Sequence, residues 1–424
     1  MKKSVVSCWL LVVSVAMATC ARADVLDKAY LAAEFPPLYG DGVRDDAPAI
    51  QARLDAGLSC VYLPPPAKEY LISRTLLIGS NQELRLDRFT RIRLAPGASC
   101  RMLDNRDCER GGNRNIAVTG GIWDLDNARQ APNPWHRTEC KPPMPNVDYK
   151  EWNPTNYLGE IMRFWNVRGV TMRNLTLRNP VTYCCMFAEA TDITVDDITF
   201  DFDSWNPIRL NMDGIHLNGG CHHARLTNLK GTTFDDLVAI NADDEPLCSP
   251  KGADISDVEV DGIHADYCHS AVRILSAPHA CRRIVIRNVF GNFYTYAVGL
   301  THYFPKNGRG TFEDILIENV FTSKVLAPEE IGTHSRAHYP LIWVEGPVDV
   351  GNLTVRNFVR DEHMLPVATI RIDKPATVRH LTVRDCRMVN RLDKPITFID
   401  RRGKIETLTL ENNDFTAAPG EWVR

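Results

Sequence analysis

Three carboxylates and one imidazole in the middle of the chain are spaced for acid–base chemistry on an acetal. Asp213 stands in Asn211-Met212-Asp213-Gly214-Ile215-His216, and Asp235-Asp236 head a second run, Leu237-Val238-Ala239-Ile240. His269 opens a third run of the same kind over residues 268–275. Each run is short and β-like and belongs to a series of similar units, so the runs stack as neighbouring rungs. Rungs spaced by roughly 4.8 Å, plus side-chain reach, set two carboxylates about 5–10 Å apart. At that separation one carboxyl group protonates a glycosidic oxygen while the other activates water or attacks the anomeric carbon. A lone aspartate at such a turn is ordinarily a turn residue; the matching pair and the following histidine are what point to catalysis. That chemistry calls for no metal and no cofactor.

Other residues are candidates for holding a substrate or the acids themselves. Asn211 is placed to hold Asp213 by a hydrogen bond, and His216, His222 and His223 to line a groove. Arg273 and His302 are the nearest candidates for gripping an acidic sugar, against the plainer reading of Arg273 as a solvated arginine. Trp135 and Trp152, in a Pro-rich insertion over 126–158, are suited either to stacking on a sugar ring or to packing on the body of the protein. A second insertion, 323–340, reads as packing. Asp243-Asp244 reads as turn structure or a weak cation site, and Asp201 and Asp203 as turn residues. Adjacent Asp235 and Asp236 point to opposite faces of an ideal strand, so both reach one cleft only if the backbone bends between them.

The elements that must position these groups repeat. The unit is apolar-x-apolar-x-(Asn/Asp/Gly), as in Ile116/Val118/Gly120, Val170/Met172/Asn174 and Ile193/Val195/Asp197. It recurs at Ala224/Leu226/Asn228, Val258/Val260/Gly262, Ile284/Ile286/Asn288 and Ile315/Ile317/Asn319, and through Leu353, Leu381 and Leu408 to Asn412. From Asn174 onward the gaps run from about 23 to 38 residues, a solenoid period. Period-two alternation means strands, and the Asn, Asp or Gly after each strand means a turn. Stacked Asn side chains are placed to hydrogen-bond along the stack. Helical patterns between the strands are absent, which excludes α/β barrels and doubly wound sheets. The expectation is an all-β chain, a single-stranded parallel β-helix, with insertions collected in its turns around a groove.

Before the repeats, residues 1–23 read as a secretory signal: Lys2 and Lys3, the apolar run Trp9 to Ala18, then Ala21-Arg22-Ala23 for cleavage. The remainder, 24–424, reads as one catalytic domain whose cap and first coils occupy 24–110. Asp45 or Asp46, Pro48, Ile50, Leu54 and Gly57 predict a short helix with its cap, one apolar face and a stop. Losing Lys2, Lys3 and Arg22 takes the net charge from −4 to about −7, not the basic balance of a nucleic-acid binder. No later run is long and apolar enough to span a membrane. Of 13 cysteines, two leave with the signal. Cys100, Cys108 and Cys140 are disulfide candidates for an exported chain, while Cys184, Cys185 and Cys221 read as buried thiols. A secreted or periplasmic monomer acting on a carbohydrate polymer or oligosaccharide fits these features.

Residues 39–63, Tyr39-Gly40-Asp41-Gly42 through Val61-Tyr62-Leu63, resemble the N-terminal part of the pectate-lyase superfamily, with its "GDGxxDDxxAIQxAxDA…VYLPPG" pattern. That resemblance implies a right-handed β-helix whose open end the helix plugs. From about residue 110 to 320 the chain resembles glycoside hydrolase family 28, the polygalacturonases. The residues that carry this are "FWNVRGVTMRNLTLRNP" (164–180), "ATDITVDDITFDF" (190–202), "NMDGIHL" (211–217), "TTFDDLVAIN" (232–241) and "CHSAVRIL" (268–275). The resemblance implies an inverting hydrolase with Asp235 as general acid, Asp213 and Asp236 activating water, and His269 tuning the acid. Two departures bear on the substrate. Ser270 replaces the second Gly of the family's "GHG". The rung Ala297–His302 offers Gly and Thr where the family has the Arg and Lys of "RIK" that grip a uronate, leaving Arg273 or His302 to substitute. Exo-acting β-helical α-galactosidases share the one-plus-two aspartate spacing. A polysaccharide lyase, with calcium and a basic residue as base, and a non-catalytic carbohydrate-binding β-helix use the same architecture.

Overall fold

A computed structural model describes residues 35–143, 156–244, 251–304, 308–332, 335–417 and 422–423. Its strands pair in parallel along three ladders, and each coil of chain visits the three in turn. The first ladder carries the sequence repeat in register: Val170 pairs with Ile193, then Ala224, Val258, Ile284, Ile315, Leu353, Leu381 and Leu408. These side chains point inward and are buried or nearly so, as the period-two pattern predicts. The fold is a right-handed parallel β-helix, the hand that parallel crossovers take.

The residue that ends each first-ladder strand turns the chain into the second ladder in a single left-handed step. Asn174, Asp197, Asn228, Asn288, Asn319, Asn357, Asp385 and Asn412 all have φ between 48° and 60°, and Gly120 and Gly262 fill the same place. Only Gly, and Asn or Asp among the rest, enter this region at low cost, which is why the repeat ends as it does. The amides also pair along the stack as expected: Asn319 Nδ2 donates to Asn288 Oδ1 at 3.1 Å, and Asn357 Nδ2 to Asn319 Oδ1 at 2.9 Å.

The predicted helix, α1, spans Ala47–Asp55 with Ile50 and Leu54 buried beneath it. Gln82 Nε2 fastens its C-terminal end, donating to the Leu54 and Leu58 carbonyls. Asp46 occupies the cap position, but its carboxylate takes the backbone N–H groups of Tyr39, Gly40 and Leu71 instead. Asp45 accepts from the Ala47 N–H in its place. Residues 1–34, with the signal reading and Cys8 and Cys20, lie outside the described residues, as do Trp152 and Cys248. No disulfide forms among the described cysteines: Cys100, Cys108 and Cys140 are free, and Cys184, Cys185 and Cys221 are buried thiols.

The third ladder matters for function. It runs from Met162–Trp165 through Cys185–Ala188, Ile215–Asn218 and Asp236–Asn241 to the ends of the long strands Ile255–Leu275 and Ala280–Thr301, then Ile342–Val344. Residues 125–161 and 325–341 connect the second ladder to the third, while 242–254 and 302–309 connect the third to the first. Described residues of the two longest reach the third ladder's outer face, where the candidate acids sit: Trp135 packs on Tyr183 and Met186, and Tyr339 meets Tyr296 and Trp343.

Candidate active site

On that face His216, Ala239, Arg273 and Gly299 are register partners on four successive coils. Asp213 ends the loop leading into the first of these strands, and Asp235 lies just outside the second, which begins at Asp236. The bend demanded by the adjacent acids is therefore present. Asp235 precedes the strand, Asp236 opens it, and both carboxylates reach the same histidine. Backbone bonds lock the two coils together, with Phe234 N–H donating to Met212 O and Gly214 N–H to Asp236 O. Gly214 is required for this approach: a Cβ there would lie 2.4 Å from the Leu237 carbonyl oxygen.

His269 is delivered by a β-bulge. The register of Ile255–Leu275 against its neighbour shifts on both sides of Cys268, and such a bulge re-aims the next side chain. His269 Nδ1 lies 3.4 Å from Asp235 Oδ1 and 3.9 Å from Asp236 Oδ1. Ser270 Oγ lies 2.7 Å from the same Nδ1 and donates to Asp236 Oδ1. Arg273 Nε stands 2.6 Å from Asp236 Oδ2, and the Tyr296 hydroxyl is 3.4 Å from Asp236 Oδ1. Asp213 and Asp236 are sealed, at 2 % and 1 % exposure, while the Asp235 side chain keeps 19 %. Asp235 is the most exposed of the three acids.

Environment separates the three acids. Burial pushes Asp236 up to about 7, against the pull of Arg273 and with the push of Asp235 and Asp213. Burial also raises Asp213, against its hydrogen bond to His216. Burial works on Asp235 in the same direction, but His269, Arg273 and Arg336 outweigh it and hold this carboxyl below its usual range. Burial drops His269 to about 4 despite Asp235. Above that pH the ring is neutral, so the arginines carry the charge support for Asp235. Burial thus favours the neutral form at Asp236 and Asp213, whereas Asp235, to which the family pattern gives the acid's role, is the one held ionised.

Other candidate residues are placed as follows. Asn211 has φ 55° and holds Asp235 through its backbone N–H at 3.1 Å, whereas its side-chain oxygen meets His136 Nε2, not Asp213. His216 is wholly buried below the site, bonded to Asp213 and Asp244. His302 is turned into its own loop, with Nε2 on Gly308 O and Nδ1 accepting from Phe304 N–H. Trp135 packs on Tyr183 and Met186, ring centroids 5.9 Å from Tyr183. His222 bonds Ser256, and exposed His223 sits beside Asp192 and Asp257, away from the acids. Asp243 accepts from Ala277 and His279 N–H groups as a turn residue. Ser270 was noted in the sequence only as a departure from the family pattern, and Tyr296 and Arg336 were not singled out; Tyr296 is the register partner of Ser270, and Arg336 comes from the insertion read as packing.

Asp235, Asp236 and His269 each offer a ligand atom within 4.8 Å of the others, the compactness of a metal site. Arg273 already supplies the positive charge at Asp236, which opposes a cation there.

A right-handed parallel β-helix with clustered aspartates on its third ladder defines the class. Within it, the sequence profile of the glycosyl hydrolases family 28 matches residues 146–264, so the coils that carry Asp213, Asp235 and Asp236 bear that family's signature. No curated protein matches the sequence. Among solved structures, the surface adhesin PfbA of Streptococcus pneumoniae is similar over 91 % of both chains at 14 % identity and TM-score 0.59. The family 28 exopolygalacturonase of Yersinia enterocolitica is similar over 89 % of this chain and 76 % of its own, at 13 % identity and TM-score 0.56. The hyperthermoactive exopolygalacturonase of Thermotoga maritima is similar over 91 % and 88 %, at 16 % identity and TM-score 0.54. At such identities the likeness is one of fold, and an adhesin stands beside the hydrolases.

Proposed function

We propose that the protein is an inverting glycoside hydrolase acting outside the cytoplasm on a polysaccharide or oligosaccharide. The observation that carries this is that Asp235 and Asp236 both meet the buried imidazole of His269, that Asp213 of the preceding coil is near enough to act on both through charge, and that Asp235 is the most exposed of the three. A passive sugar-binding surface has no use for a carboxyl group held protonated up to about pH 7 beside one held ionised.

In this reading Asp235 delivers the proton to the leaving oxygen, because it alone among the three is exposed. The proton rests on Asp236. To leave, Asp236 Oδ1–H donates to Ser270 Oγ and the hydroxyl turns to donate to His269 Nδ1, reversing its present bond. His269 Nδ1, 3.4 Å from Asp235 Oδ1, then closes on that acid to hand the proton over. Having yielded its proton, Asp236 joins Asp213 as a carboxylate pair over the water that attacks the anomeric carbon. The water's proton returns to the pair, and the site is reset.

The test is a panel of polysaccharides and aryl glycosides followed by reducing-sugar release and anomeric NMR. Wild type is expected to hydrolyse a member of the panel with inversion, and D235N to fall by about 10²–10⁴-fold. Retention at the anomeric carbon, or an unsaturated product from elimination, overturns the assigned roles.

A further inference from the structure

His216 lies beneath the site, and no part of its ring reaches solvent. Nδ1 is 2.9 Å from Asp213 Oδ2, and Nε2 is 2.9 Å from Asp244 Oδ2. An ionised carboxylate only accepts, and a neutral imidazole has a single N–H. Satisfying both acids therefore takes both ring protons. The Asn241 amide meets Nε2 as well, in an orientation that sets its NH2 group against that nitrogen and leaves its Oδ1 buried without a partner. Oxygen and nitrogen of an amide exchange places by a half-turn, and the turned amide offers Nε2–H an acceptor. The ring of Tyr183, from the preceding coil, covers His216 with centroids 4.0 Å apart, and Trp135 backs Tyr183. The groups facing the imidazole are thus Asp213, Asp244, Asn241 and Tyr183, with Asp235 and Arg273 beyond Asp213.

We propose that His216 is a positioning residue that works as an imidazolium, clamped between Asp213 and Asp244, and that it keeps Asp213 ionised and aimed as the base. The need for it is physical. Asp213 is buried and has Asp235 as a like-charged neighbour, two influences that both favour its neutral form. A buried carboxylate persists only beside a fixed counter-charge. Arg273 is spent on Asp236, so His216 is the cation in hydrogen-bond contact with Asp213. Asp244 serves as the outer anchor that keeps the second ring proton in place.

The activity arms of the test rest on the hydrolase reading; the spectroscopic arm does not. In protein carrying 15N-histidine at pH 7, one histidine should show both ring nitrogens protonated, and that signal should vanish in H216Q. The acid limb of the kcat/KM profile should move up by about one pH unit in H216Q, because Asp213 then gains its proton earlier. In D244N the pH at which the doubly protonated histidine signal is lost should move down, because His216 loses one of two carboxylates and titrates sooner. A merely structural histidine would lower activity evenly and leave the acid limb in place. A neutral tautomer at His216, or profiles that superimpose on wild type after scaling, overturns the proposal. If H216Q does not fold, D244N and the wild-type spectrum still decide. If wild type cleaves no glycoside, the hydrolase reading fails while the spectrum still reports on the clamp.

Discussion

Arg273 reaches across one coil to set its Nε 2.6 Å from Asp236 Oδ2, so the guanidinium that sequence placed as a substrate contact is paired in charge with an acid of the site. Its aliphatic neighbour along the face is Ala239, and beyond it Gly299, which leave the guanidinium room against the Tyr303 ring at 5.4 Å. Arg273 is the counter-charge that keeps Asp236 from being pushed higher still by burial. R273Q should raise the pH at which Asp236 ionises and, because Asp236 holds the proton to be delivered, move the alkaline limb of kcat/KM upward. Activity at neutral pH should fall by about 10²-fold. R273K should recover part of it, since one charged contact suffices to hold Asp236. Equal loss in both variants with an unmoved pH limb would instead place Arg273 on the substrate.

Ser270 tests the proton path. Its hydroxyl is the bridge between Asp236 Oδ1 and His269 Nδ1. S270A and S270G both remove the bridge, and S270G restores the family's residue. We expect kcat to drop by about tenfold or more in both, with KM little changed, because the step affected is proton delivery and not binding. A solvent isotope effect on kcat should grow as that delivery becomes limiting. Unchanged kcat in S270A would mean that Asp235 is protonated directly from solvent.

Much of this was legible in the sequence, for identifiable reasons. The first ladder was readable because its inward residues obey one rule on every coil, from Val170 to Leu408, and because Asn or Asp must follow each strand to enter the left-handed turn. Asp213, Asp235, Asp236 and His269 were readable because they stand at the heads of short β-runs on the third ladder and match the family 28 pattern. Arg336 and His136 were not, since they come from insertions whose return path no local pattern encodes. The Asp213–His216–Asp244 chain was hidden differently. His216 and Asp213 are three residues apart, but Asp244 comes from the next coil, and only the pairing of Ile215 with Val238 brings it beside the ring. The direction of the Asn211 side chain depended on His136, so its expected bond to Asp213 was replaced by one from its backbone to Asp235.

Asp236 gives the fold a pH dependence of known sign. Its carboxyl is raised from the ordinary value near 3.8 to about 7 by burial. Between those values the folded chain keeps a proton that the unfolded chain has lost, so stability from this group is full below pH 3.8 and falls as pH rises through about 7. His269 acts oppositely: lowered to about 4 from 6.5, it favours the folded state as pH rises through that window. D236N removes the first effect and leaves the second. Melting temperature in D236N should therefore rise from pH 4 to pH 6.5 more steeply than in wild type, and it should exceed the wild-type value at pH 8. Parallel curves for the two proteins would mean that Asp236 is ionised throughout.

Asn319 separates the two jobs of the asparagine stack. Its amide donates to Asn288 and accepts from Asn357, and its backbone holds φ 55°. N319A loses both bonds and forces a Cβ-bearing residue without a compensating side chain into the left-handed region. The bonds are worth about 1 kcal/mol each and the strain about 1–2 kcal/mol, so N319A should cost about 3 kcal/mol. N319G loses the same bonds without the strain, and should cost about 2 kcal/mol by the same reckoning. Urea unfolding monitored by tryptophan fluorescence measures both. The order N319A worse than N319G is what the turn demands, whereas equal losses would mean that side-chain stacking alone selects asparagine at this position.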